Sequence, residues 1–95
     1  MIIVHDVFVC KPGNASKLAK LFKETMSGQK EFVNIMTDMT GQFNRVIIVT
    51  QHENLSAYER SWEAMSEADM KKMQEAMKGY TDMYLTGSRE IFRVW

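Results

Sequence analysis

Residues 45–65 read RVIIVTQHENLSAYERSWEAM. Within it, 46–50 is Val-Ile-Ile-Val-Thr, nearly all β-branched, the pattern of a strand covered on both faces. Asn54-Leu55-Ser56 then turns the chain. Ser56-Ala57-Tyr58-Glu59 has the spacing of a capping box: the Ser hydroxyl takes the amide three positions on, and the Glu there reaches back. Ala57, Tyr58, Trp62 and Met65 follow at helical spacing. The stretch is a strand that passes through a tight corner into an amphipathic helix.

Reading outward from this unit gives the rest of the order. Residues 2–10 are apolar on both faces except at His5 and Asp6, which predicts a second central strand. Lys11-Pro12-Gly13-Asn14 breaks that strand. From Ala15, the residues Leu18, Leu21, Phe22 and Met26 form a helical stripe, with Asn14 or Ser16 available as cap and Gly28 as stop. Residues 32–39 carry Asn34, Thr37 and Asp38 and read as a more polar edge strand. Thr40-Gly41-Gln42 offers the turn into 46–50. Ser66-Glu67-Ala68-Asp69 resembles a second capping box, so the second helix breaks or kinks there before Met70, Met73, Met77 and Tyr80 resume the stripe. Gly79 is a plausible end. After a linker through Gly87, residues 89–95 alternate as a final edge strand with one wet face.

This β-α-β-β-α-β order, with right-handed crossovers, is the ferredoxin-like arrangement: α+β, a four-stranded antiparallel sheet with two helices on one face. Residues 1–95 make a single domain. Its helices cover one sheet face, yet both central strands are apolar on both sides: Ile3, Val7 and Val9 against Ile2, Val4 and Phe8, and Ile47 and Val49 against Val46 and Ile48. The second face needs a cover, and a second copy of the sheet supplies one. The expected assembly is therefore a homodimer through the open sheet face.

Composition narrows the function. The chain has 95 residues with 12 basic and 12 acidic side chains, a formal net charge of zero. The charges are interspersed and leave no footprint for nucleic acid or an anionic membrane. One cysteine, Cys10, excludes an intrachain disulfide and a Cys-only metal site. With that single cysteine a reducing, cytoplasmic setting is the default expectation, and His5 and Asp6 interrupt the apolar N-terminal run, so it reads as neither a signal peptide nor a span. Nine methionines suit either soft filling of an irregular core or a deformable apolar pocket.

Candidate chemistry is sparse. His5, Asp6, Cys10, His52 and Glu53 lack the convergence a metal site needs, so no metal and no cofactor is expected. Cys10 at a strand end reads as a buried structural thiol. No Gly-rich loop cradles a phosphate. RNA-binding domains of the same element order stack bases on strand aromatics, and 45–50 has none. His5 and Asp6 are either satisfied polar groups or groups aimed into a cavity. Tyr58 and Trp62 are either core anchors or cavity walls with one polar handle each. His52 sits at a strand exit, where loops often carry function.

The Lys11-Pro12-Gly13 exit, the strand running into Asn54-Leu55-Ser56-Ala57-Tyr58, and Arg60 and Trp62 beyond it resemble the dimeric α+β barrel superfamily, most of all its NIPSNAP-like and antibiotic-biosynthesis-monooxygenase-like members. The resemblance spans the whole chain and rests more on element order than on any residue. It implies homodimers that close a shared barrel. Haem-degrading members use an Asn on the first strand, a Trp early in the second helix and a later His. Here Lys71, Lys72 and Met73 stand in the region of that His, so haem degradation is not expected. Cofactor-free oxygenases of the group need an Asn/Trp/Tyr-type pocket, which Tyr58 and Trp62 could partly imitate.

The expectation from sequence is a small homodimer that binds a hydrophobic or aromatic small molecule between sheet and helices, with its transformation as the further expectation. His5 and Asp6 are the candidate catalytic groups. His52, Tyr58, Arg60 and Trp62 are the candidate ligand-binding residues. The competing reading is a non-catalytic structural or interaction dimer whose cavity is filled by its own methionines. Cofactor-free monooxygenation ranks below both.

Overall fold

A computed structural model describes residues 1–41 and 43–95. The elements run β1 (Ile2–Cys10), α1 (Ala15–Met26), β2 (Phe32–Thr37), β3 (Arg45–His52), α2 (Leu55–Glu63), α3 (Glu67–Ala76), a single 3-10 turn (Tyr80–Asp82) and β4 (Tyr84–Arg93). The sheet order is β2-β3-β1-β4, and every pairing is antiparallel. The two strands expected to be central, β1 and β3, are central.

Register sorts the side chains. Val4 pairs with Thr50, Asp6 with Ile48 and Phe8 with Val46. This set, with Cys10 and His52, faces the helices. Leu18 and Phe22 of α1 pack onto Cys10, Val46 and Ile48, with Met77 closing the cluster. Each fully buried aliphatic or aromatic side chain there stabilises the fold by roughly 1.5–3 kcal/mol. On the other face lie Ile3, His5, Val7, Val9, Ile47 and Val49, joined by Met36 and Phe92 from the flanking strands. Most are only half-buried, and Met36 and Phe92 are among the exposed large apolar residues.

Helix breaks and caps are local. The second helix does divide, at Ser66, whose hydroxyl accepts from the Asp69 amide at 3.1 Å. The N-cap of α2 is not Ser56 but Asn54, whose Oδ1 accepts from the Ala57 amide at 2.8 Å. Asn54 has an extended backbone, so its short side chain can fold back on the first turn. At α1, Asn14 occupies the cap position without a side-chain bond, and the helix closes at Ser27 rather than Gly28. α3 closes at Met77 rather than Gly79, and Gly79, with a φ of 85° in the left-handed region, starts the 3-10 turn.

Two strands differ in length from expectation. β2 stops at Thr37. Beyond it, the Asp38 carboxylate accepts from the Arg45 amide, so Asp38 closes the connection instead of extending the ladder. The Gln42 part of the expected turn lies outside the described residues. β4 begins at Tyr84, not at Arg89. The stretch read as linker is strand because Gly87 lies opposite Phe8 in the ladder. A Cβ on Gly87 would sit 3.5 Å from the Phe8 ring, an ordinary contact distance.

Candidate functional site

Helix α2 buries no residue completely. Its side chains reach from His52 on β3 across β1 to Arg89 on β4. Tyr58 and Trp62, one helical turn apart, project toward the sheet with ring centroids 6.4 Å apart and nearly perpendicular. From below, β1 supplies Asp6 and β4 supplies Arg89, direct partners in the ladder. Arg89 Nε donates to Asp6 Oδ1 at 2.5 Å. The guanidinium carbon also stands 5.7 Å from the Tyr58 ring centre and 5.6 Å from that of Trp62, within cation–π range of both. The bond to Asp6 holds the Arg89 guanidinium above its already high range, with burial opposing.

A groove of about 490 Å³ opens on this cluster, lined by Tyr58, Glu59, Trp62, Glu63 and Arg89. Trp62 keeps 53% of its surface exposed there. The Tyr58 hydroxyl is buried yet meets no hydrogen-bond partner among the described residues. A buried hydroxyl left unpaired costs about 1–3 kcal/mol, a cost that a hydrogen-bonding group reaching it would relieve.

Beyond Tyr58 the His52 imidazole stands edge-on at 4.9 Å. Its Nε2 lies 3.2 Å from Thr50 Oγ1. Burial lowers the His52 pKa, with the Glu31 and Asp6 carboxylates partly countering. His52 belongs to a second groove of about 560 Å³, shared with Arg60, Ser61, Lys30, Glu31 and Gln51.

The residues singled out from sequence are therefore only partly together. Tyr58 and Trp62 meet, and Asp6 joins them through Arg89. His52 touches Tyr58 from the far side. Arg60 points into the second groove. His5 lies on the opposite, open sheet face, where its ring packs edge-on against Phe92 at 5.1 Å; adjacent strand residues cannot share a face. Arg89 was overlooked. Its signal was available: an arginine on the last strand that antiparallel pairing sets against the carboxylate in the first. The methionines also divide. Met26, Met73 and Met77 pack the α1–α3 half of the core, while Met70 is exposed. They fill that half and leave the recess beside α2 open.

No family model matches the chain, and no curated protein matches it in sequence. Solved structures do match in shape. A NIPSNAP-like domain protein from Burkholderia xenovorans superposes with a TM-score of 0.77 at 15% identity, over 99% of this chain and 84% of that one. A NIPSNAP family protein from Agrobacterium tumefaciens gives 0.75 at 13% identity, over 97% and 90%. A proposed antibiotic biosynthesis monooxygenase from Nitrosomonas europaea gives 0.67 at 8% identity, over 99% and 98%. The chain shares their fold. This is the fold that the Tyr58–Trp62 helix and the strand before it resemble, and at such identities the likeness concerns the fold alone. Among the described residues, no helix is long and apolar enough to cross a membrane.

Proposed function

We propose that this protein is a small homodimer that binds a flat aromatic molecule in the groove between α2 and β4. The observation that carries the reading is the buried Tyr58 hydroxyl without a partner, beside an exposed Trp62 face. An aromatic ring laid on the Trp62 indole gains stacking and apolar burial. A polar group on that ring then reaches Tyr58 or the Asp6–Arg89 pair and fixes the orientation. An apolar wall with few convergent polar groups is how small-molecule sites are built.

The second copy covers the open sheet face. The molecule is a flat slab of 36 × 35 × 20 Å, and its broad side is on the scale of the roughly 800 Å² per partner that stable interfaces bury. The centre of that face is aliphatic, from Ile3, Val7, Val9, Ile47 and Val49, with His5 and Phe92 alongside. Arg45 and Glu90 are opposite charges on the same face, which suits self-association about a two-fold axis.

Equilibrium dialysis against 2-naphthol tests the binding reading. The wild-type protein retains the ligand, and Trp62→Ala reduces retention at least fivefold without lowering thermal stability by more than a few degrees. Equal retention by both proteins, or none by either, would contradict it.

A further inference from the structure

The groove has a charge preference that its aromatic walls alone do not imply. Tyr58 and Trp62 form one helical row of α2, and Glu59 and Glu63 form the row beside it. Two exposed carboxylates therefore rim the recess. The cation in the recess, Arg89, is already engaged: its Nε is bonded to Asp6, and its guanidinium is seated against both aromatic rings. An anionic ligand would share Arg89 with Asp6, which already bonds its Nε, and would have to pass Glu59 and Glu63. A ligand with a delocalised positive charge meets the opposite situation. The free face of Trp62 offers it the same attraction that the ring already gives Arg89. Within the groove and its floor, Asp6, Glu59 and Glu63 set three carboxylates against the one guanidinium of Arg89, which favours a cation there.

From these placements we infer that the groove beside Trp62 selects planar aromatic cations over aromatic anions, with neutral rings between. This inference rests on the binding reading above and gives its ligand a chemical class: a flat heteroaromatic carrying a quaternised or protonated nitrogen. The carboxylates are the selective element and the rings are the common platform.

Three probes of similar size separate the charge effect from the stacking effect. They are N-methylquinolinium, quinoline at pH 7.5, where it is neutral, and 2-naphthoate. Equilibrium dialysis at low ionic strength should show N-methylquinolinium retained about tenfold more tightly than 2-naphthoate, the scale expected for a few exposed charge contacts. Glu59→Gln with Glu63→Gln should shrink that ratio to about twofold. Raising the salt to 0.5 M should do the same to the wild type. If 2-naphthoate binds as well as or better than the cation, the charge preference is overturned while binding itself stands. If no probe binds, both are overturned. If the ratio survives the double substitution, the carboxylates are not its source and the inference fails.

Discussion

Asp6 and Arg89 are partners in the β1–β4 ladder and are joined by a 2.5 Å bond from Nε to Oδ1. Their side chains are not equally solvated, at 17% exposed for Asp6 and 48% for Arg89. Arg89→Met therefore strands a carboxylate beneath α2 and should cost about 1–2 kcal/mol, a value kept low because the arginine is half in water. Asp6→Asn together with Arg89→Met should cost less than Arg89→Met alone. Urea unfolding of the two singles and the double checks this. Strict additivity would show that the pair is not coupled.

His52 makes stability depend on pH. Burial lowers its folded pKa, while the unfolded chain titrates near the ordinary value of 6.5. On acidification the unfolded state takes up the proton first. The His52 contribution is thus full above about pH 6.5 and is lost as pH falls toward the depressed folded pKa. Between pH 7.5 and 5.5 the urea midpoint of the wild type should fall further than that of His52→Gln. Equal falls would place the pH dependence elsewhere.

Gly87 leaves room that one methyl group can fill. A Cβ there would be 3.5 and 3.6 Å from Phe8 ring atoms, ordinary contact distances, and Gly87 is not among the glycines with positive φ. Gly87→Ala should stabilise by about 0.5 kcal/mol through the unfolded state, raising Tm by roughly 2–4 °C. Gly87→Leu would drive into the Phe8 ring and should cost more than about 1 kcal/mol. Differential scanning calorimetry distinguishes the two directions.

The open sheet face offers a test of assembly. Val7 is on that face beside Ile47 and Ser88. Sedimentation equilibrium should give a dimer at micromolar concentration for the wild type. Val7→Lys would bury an ammonium in an apolar contact and should weaken association at least tenfold. A wild-type monomer at that concentration would contradict the dimer.

The fold was legible because hydrophobic patterning carries it. Residues 2–10 and 46–50 could only be central strands, and the capping signal at Ser66 marked the break between α2 and α3. What failed to show were features set by long-range pairing. Tyr84, Leu85 and Thr86 look like linker until Gly87 is set opposite Phe8. Asn54 outcompetes Ser56 as cap because its backbone is already extended, a fact invisible in composition. At the site, Tyr58 and Trp62 were readable from their helical spacing. His5 and Asp6 were read together, although strand geometry sends them to opposite faces. Arg89 needs the β1–β4 register before its meaning appears.

The groove itself is most directly tested by chemical-shift mapping. In a ¹⁵N-labelled sample titrated with 2-naphthol, the Trp62 indole N–H and the Arg89 Nε–H should shift together, with backbone shifts confined to α2 and the Asp6 and Arg89 strands. The indole N–H of Trp95, fully exposed at the C-terminus, should stay in place. Shifts clustered on Ile3, Val7, Val49 and Phe92, or no shifts at millimolar ligand, would contradict a binding site between α2 and β4.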